Sequence, residues 1–330
     1  MINTLKDAKV LLENYIKDSN QVFITPHLCA DFDAIASAIG ISLISNKFSK
    51  PNYIFICDDP YKMEPGVKLI TEEYADKVNF IDMERYNKLK SNNDLLIATD
   101  TNKSYLVGCE KSLNEFKNII VLDHHMQDEK TIKTDDIYIP KNTSSASEIV
   151  VELLCKFGIK YSSDIANYLL SGIYLDTDKL RKGVTARTFQ IVSKLLEKGA
   201  NLDKVQEFFA EDFKNDQKIQ DLISKTILTT YTYAIAIEMD DILYTREELA
   251  KVADKLLTYK TIDATFAVGS IDENTVSVSA RSKGKVDVSK IMSLMNGGGN
   301  IYSAAAKIEN ATTDEVGKTL MKTLKPNFYV

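Results

Sequence analysis

The stretch QVFITPHLCADFDAIASAIGISLISN, residues 21–46, decides the fold. Its first part, QVFITPH, is a short β-branched and aromatic run closed by a proline, the pattern of a buried strand. Its last part, DAIASAIGISLISN, is apolar almost throughout and too long for a strand, so it reads as the helix that follows. The turn between them carries His27, Asp31 and Asp33. An imidazole and two carboxylates thus stand at the mouth of a strand.

Working outward, the same strand-then-helix alternation continues. NYIFICDD, VNFIDM, DLLIATDTN and NIIVLDHH are further short runs rich in Val, Ile, Leu and Phe. Such nearly continuous apolar runs belong to parallel strands covered on both faces. The expected fold is therefore α/β, with an N-terminal doubly wound, mainly parallel sheet. Helices follow in SASEIVVELLCKFG, with a Ser145/Glu148 capping box and a stop at Gly158, and in SSDIANYLLSGIYLDTDKL, ending near Asp176. TARTFQIVSKLLEKGA gives a third, from Thr185 to Gly199. Beyond it the pattern changes to an alternating strand, a Thr245/Glu248-capped helix, and a hairpin turning at Asp272-Glu273-Asn274. A helix capped by Asp287, the run NGGGN and a closing helix complete a smaller α+β domain. The expected boundaries are residues 1–200 for the first domain, 201–226 for a helical connector and 227–330 for the second.

The chain has 330 residues, 44% hydrophobic and 27% charged, with a formal charge of −6. Long polyanions favour basic surfaces, so this balance argues against coating long nucleic acid. No apolar run reaches the ~18 residues of a membrane span, and the N-terminus is amphipathic rather than a signal peptide. Cys29, Cys57, Cys109 and Cys155 are widely spaced, with no CxxC pair, as expected of thiols in a reducing cytosol.

The chain spends only three histidines: His27, and the adjacent His124 and His125 of VLDHHM. In an open parallel sheet the carboxyl ends of the strands form one rim, where ligands bind. His27, Asp100 of IATDTN, and Asp123 with His124 all end strands; Asp176 ends an apolar helix that can reach the same rim. Each alone has an ordinary explanation, as a turn residue or a helix cap. Together, His27, Asp31, Asp33, Asp100, His124 and Asp176 gather four carboxylates whose mutual repulsion calls for cations. Mixed carboxylate and imidazole donors suit Mn²⁺, Fe²⁺ or Zn²⁺ better than Ca²⁺. Two ions ~3.5–4 Å apart sharing one carboxylate would use the whole set for phosphoryl chemistry.

In this order, HLCADFDA, IATDTN, VLDHH and GIYLDTD resemble the four motifs of the DHH phosphoesterase superfamily. VSARSKGKVDVSKIMSLMNGGGN resembles the glycine-rich signature of the DHH-associated C-terminal domain. The resemblance covers nearly the whole chain and points to bacterial cyclic-di-AMP phosphodiesterases and their small relatives that cleave very short oligonucleotides (nanoRNA). It implies that His27, Asp31 and Asp100 bind one metal, and that Asp33, Asp100, His124 and Asp176 bind a second, Asp100 bridging. Asp123 and His125 would fix His124 or touch phosphate. The implied cofactors are two Mn²⁺, with Mg²⁺, Fe²⁺ or Zn²⁺ as substitutes. Ser279, Arg281, Gly297, Gly298, Gly299 and Asn300 would bind substrate. Asn300 departs from the histidine usual at that position.

The implied reaction is two-metal hydrolysis of cyclic di-AMP, its linear product pApA or other very short oligonucleotides, with the active site in a cleft between the domains. The implied form is a free-standing cytoplasmic homodimer without a membrane segment, acting on a small nucleotide and not on long nucleic acid. Two other readings share these residues: a 3′-phosphoadenosine 5′-phosphate phosphatase, and a nucleotide-binding sensor whose site has decayed at Asn300.

Overall fold

The structure, a computed structural model, describes residues 2–56, 65–210, 213–229 and 232–324. Cys57 and the end of the run NYIFICDD lie outside the described residues. The chain forms two compact units, Met1–Ala210 and Glu211–Val330.

The first unit opens with α1 (Leu5–Asp18), β1 (Val22–Thr25), α2 (Phe32–Lys47), β2 (Asn52–Phe55) and α3 (Pro65–Glu73). β3 (Phe80–Ile81), α4 (Met83–Leu89), β4 (Leu95–Thr99), β5 (Asn118–Leu122) and β6 (Ile137–Tyr138) follow. Four helices close it: α5 (Ala146–Phe157), α6 (Ser163–Asp176), α7 (Ala186–Glu197) and α8 (Leu202–Phe208). The six strands lie in the order β3-β2-β1-β4-β5-β6, and every pairing is parallel. Every residue of β1 and β4 is buried, as covered central strands require. α2 is buried nearly all round, which accounts for its lack of a polar face.

The expected caps hold at several helices, with one change of partner. Ser145 caps α5 by accepting from the Glu148 amide, but the Glu148 carboxylate takes the hydroxyl of Ser144 at 2.6 Å rather than closing the box on Ser145. Gly158 ends the same helix at φ 64°, a conformation glycine reaches without strain.

The second unit contains α9 (Phe213–Ser224), β7 (Thr226–Leu228), β8 (Tyr233–Ile237), α10 (Arg246–Leu257), β9 (Ala264–Asp272) and β10 (Thr275–Ser282). α11 (Val288–Ser293), β11 (Gly298–Gly299), β12 (Ser303–Glu309) and α12 (Thr313–Thr323) complete it. Its mixed sheet runs β11-β12-β10-β9-β8-β7. α8 packs with the first unit, where Val205 is buried; α9 packs with the second, burying Ile219 and Leu222 beside Tyr244 and Leu249.

A candidate metal centre

In the parallel sheet the strand order reverses between β1 and β4, the place where open α/β sheets leave a crevice at their carboxyl ends. The motif residues surround that point. His27 follows β1, Asp100 follows β4, and Asp123, His124 and His125 follow β5. Asp33 stands in the first turn of α2, and Asp176 is the last residue of α6.

These residues converge. His27 Nε2 lies 3.5 Å from Asp100 Oδ2 and 3.7 Å from Asp31 Oδ2. His124 Nε2 lies 3.2 Å from Asp100 Oδ1 and 3.1 Å from Asp176 Oδ2. Donor atoms of His27, Asp31 and Asp100 fall within 4.8 Å of one another, as do those of Asp33, Asp100, His124 and Asp176 and those of Asp100, Asp123, His124 and His125; Asp100 belongs to all three groups.

Local structure aims each group. Asp31 caps α2, its Oδ1 accepting from the amides of Asp33 at 2.9 Å and Ala34 at 3.0 Å, which leaves Oδ2 for His27. Phe32, between the two carboxylates, is anchored against Phe208 and Phe209. His27 Nδ1 is 2.9 Å from the Leu28 carbonyl. A carbonyl only accepts, so Nδ1 carries a proton, and Nε2 is the ring atom turned toward the cluster. Asp33 is fully buried, and both its oxygens accept amides at the start of α5, Ala146 at 2.6 Å and Ser147 at 2.8 Å. Asp100 holds a left-handed φ of 58°, which aspartate tolerates better than most residues.

Asp123 organises the histidine pair. Its Oδ1 accepts from the amides of His124 and His125 and lies 2.8 Å from His125 Nδ1. Its Oδ2 accepts from Asn102 Nδ2 at 2.6 Å, and the same Nδ2 donates to the His125 carbonyl at 3.0 Å. Burial works against charge on Asp123, but the His125 ring and these amides hold its carboxyl below the usual range. Asn102 is fully buried and has no counterpart among the sequence expectations. Its only sequence signal is its position two residues after Asp100.

The electrostatics are those of a crowded acid–imidazole cluster that could hold a cation. Burial, then the charges of Asp100 and Asp176, push the Asp33 carboxyl well above its ordinary value, and burial chiefly raises Asp176. At His27 and His124 burial opposes protonation, but Asp100, with Asp31 beside one ring and Asp176 beside the other, holds both imidazoles up to about 11. Among the described residues, Asp100 Oδ1, His124 Nε2 and Asp176 Oδ2 are buried without a well-aligned hydrogen bond, although both oxygens lie 3.1–3.2 Å from the imidazole nitrogen. A buried polar atom left unpaired costs about 1–3 kcal/mol. Three such atoms in one place fit a shared divalent cation, and carboxylate with imidazole is a donor set for Mn²⁺, Fe²⁺ or Zn²⁺.

The second unit holds a cavity of 420 Å³, lined by Arg246, Ser279, Arg281, Gly298, Gly299 and Ser303 among others. Arg281 is held by Asp254, Nε to Oδ1 at 2.9 Å, and by Ser279 Oγ at 3.3 Å. The three glycines divide. A Cβ at Gly297 would stand 2.2 Å from the Ala305 carbonyl, and one at Gly299 2.3 Å from that of Ser303; at Gly298 it would meet nothing within 4 Å. Two glycines are therefore demanded by the close approach of β11 to β12, and only Gly298 leaves its open space to a ligand. Asn300 Oδ1 accepts from the amides of Tyr302 at 2.8 Å and Ser303 at 3.0 Å, so its carboxamide serves the turn. Arg246, which also lines the cavity, was not foreseen, since nothing in its helix-opening position marks it as facing a ligand.

The doubly wound sheet and its clustered acids and imidazoles define a DHH-type protein, and the comparisons agree. Residues 21–173 match the DHH family, N-terminal domain, and residues 229–325 match the DHHA1 domain. The chain belongs to the DHH family and carries a DHHA1 domain. It is 32% identical to the cyclic-di-AMP phosphodiesterase GdpP of Bacillus subtilis, over 96% of this chain and 49% of that one. It is 30% identical to a membrane protein–large ribosomal subunit bL9 fusion protein of Aster yellows witches'-broom phytoplasma, over 95% of this chain and 38% of that one. The chain thus spans half or less of the length of these relatives. In fold it is similar to an exopolyphosphatase-related protein from Bacteroides fragilis, with a TM-score of 0.76, 17% identity and 98% of each chain covered. Among the described residues no helix is long and apolar enough to cross a membrane.

Proposed function

We propose that this chain is a metal-dependent phosphodiesterase acting on small nucleotides, with cyclic di-AMP and its linear form pApA as the leading substrates. The observation that carries this reading is the pair of donor groups sharing Asp100, with three buried donor atoms left unpaired between them. His27, Asp31 and Asp100 would hold one ion, and Asp33, Asp100, His124 and Asp176 another, Mn²⁺ being the metal we favour. Such ions, when bound, neutralise phosphoryl charge and make water acidic enough to act as a nucleophile near neutral pH. The chain's own groups do the rest of the positioning: Asn102 and Asp123 fix His125, whose ring is half-exposed beside Asp100 and free to touch a phosphate. In the second unit, the guanidinium of Arg281, that of Arg246 and the open backbone at Gly298 suit a nucleotide phosphate.

Relatives named as cyclic-di-AMP phosphodiesterases support the substrate class. The test is a panel of cyclic di-AMP, pApA, other dinucleotides and 3′-phosphoadenosine 5′-phosphate incubated with Mn²⁺, products being separated by chromatography. Release of AMP from cyclic di-AMP or pApA is expected. Turnover confined to 3′-phosphoadenosine 5′-phosphate makes the protein a monoester phosphatase. Tight nucleotide binding without any hydrolysis makes it a sensor.

A further inference from the structure

α6 passes the first turn of α2 at Gly172, and the space there is spoken for. A Cβ built on Gly172 would stand 2.4 Å from Ser147 Oγ, 2.6 Å from Asp33 Oδ1 and 2.8 Å from Asp33 Cα. Real Cβ atoms do not approach so closely, and while the Ser147 hydroxyl can rotate, the Asp33 atoms cannot swing aside. The Asp33 carboxylate is pinned through both oxygens to the amides of Ala146 and Ser147, and its Cα belongs to the helix backbone. Asp33, Ser147 and Gly172 are all buried. Three helices therefore meet at one carboxylate: α2 carries it, α5 binds its oxygens with its first amides, and α6 closes over it with a residue that has no side chain. Four residues further along α6, Asp176 offers its carboxylate to the same donor group.

We propose that Gly172 is a positioning residue for the metal centre: its missing side chain lets α6 close onto α2 so that Asp33 and Asp176 face a single cation. The inference rests on the metal-centre reading above and extends it to a residue outside the donor set. The ordinary alternative is that Gly172 serves helix packing alone. The fold contains its own control for that alternative. Gly40, on the same α2, would bring a Cβ to 2.3 Å from Val150 Cγ1 of α5, a contact as tight but made only to an apolar side chain. A Gly→Ala change at either position crowds a helix crossing; only the one at Gly172 crowds a donor.

The experiment measures Mn²⁺ binding by titration calorimetry, together with thermal melting, for the full chain and for Gly172→Ala, Gly40→Ala and Gly172→Ala/Ser147→Ala. Gly172→Ala is expected to weaken Mn²⁺ binding by about 10-fold or more, the range seen when groups that orient metal ligands are lost. Gly40→Ala is expected to lower the melting temperature while binding Mn²⁺ as the parent does. The double variant relieves the contact with the serine hydroxyl but not those with Asp33, so its melting temperature should recover in part while Mn²⁺ binding stays weak. Parent-like Mn²⁺ binding in Gly172→Ala, or its full return in the double variant, overturns the proposal. Failure of both Gly172 variants to fold also counts against it, since Asp33 would then not be the group that yields. A parent chain that binds no Mn²⁺ sinks the metal-centre reading itself, which is a separate and recognisable result.

Discussion

Asp100 combines a left-handed backbone with a place in all three donor groups, so its side chain can be tested without disturbing its φ. Asparagine also tolerates that conformation. Asp100→Asn should therefore leave circular dichroism unchanged while Mn²⁺-dependent phosphodiesterase turnover falls by at least about 100-fold; near-parental turnover would remove the shared carboxylate from the mechanism. Asn102 offers a subtler test. Among the described residues its amide is the sole side-chain donor to Asp123 Oδ2, and it ties that carboxylate to the His125 carbonyl. Asn102→Ala should lower turnover by about 10- to 100-fold with the fold retained, as loss of a ligand-orienting hydrogen bond does. A kinetic assay on variant and parent checks it, and an unchanged rate would leave Asn102 with a structural role only. His27 shows why residue identity alone was informative: one ring nitrogen is engaged by the Leu28 carbonyl, so the other is left for chemistry.

At the level of elements, the β11–β12 hairpin separates structural from functional glycine. Gly297→Ala should lower the melting temperature of the protein, because its Cβ would collide with the backbone of β12. Gly298→Ala should leave the melting temperature within a degree or so, while weakening nucleotide binding measured by calorimetry, because only open cavity lies before it. If Gly298→Ala binds nucleotide as the parent does, the cavity in the second unit is not where the phosphate rests. The sequence treated the three glycines alike, because a string of identical letters carries no information about which residue faces a neighbouring strand. The parallel strands β1 to β5 were legible, since covered parallel strands announce themselves as apolar runs, whereas β7, β11 and β12 carry no such run and were not expected. β6, only two residues long, escaped notice because such a strand is defined by its partner β5 and not by its own pattern.

For the whole molecule, the crowded charges tie stability to metal and pH. In the metal-free protein His27 and His124 hold protons up to about 11, against 6.5 for an unperturbed imidazole, and Asp33 and Asp176 are raised as well. Each of these groups binds protons more tightly folded than unfolded. The folded state thus carries more protons than the unfolded chain above pH ~6.5, and stability must fall as pH rises through that window. Asp31 and Asp123, whose carboxyls are lowered, act at the other end, their contribution being lost as pH falls below the ordinary carboxylate range. Melting of chelator-treated protein should accordingly peak in mildly acidic buffer and decline from pH 7 to 9. Saturating Mn²⁺ should raise the melting temperature and flatten that decline, because cations replace protons on the same atoms. Equal melting curves with chelator and with Mn²⁺ would show that no cation compensates the cluster.

Read by itself, the sequence determined the alternating α/β architecture and named the residues that gather in the acid–imidazole cluster, because apolar periodicity records burial and because acids and imidazoles at strand ends share the rim of a parallel sheet. His27, Asp100 and His124 could be named without coordinates for that reason. Only the tertiary structure decided what supports them. Asn102 beneath Asp123, the α5 amides on Asp33 and the bare α-carbon of Gly172 act through contacts between residues far apart in the chain. Such roles depend on which atoms a fold presses together, and an order of letters does not contain those distances.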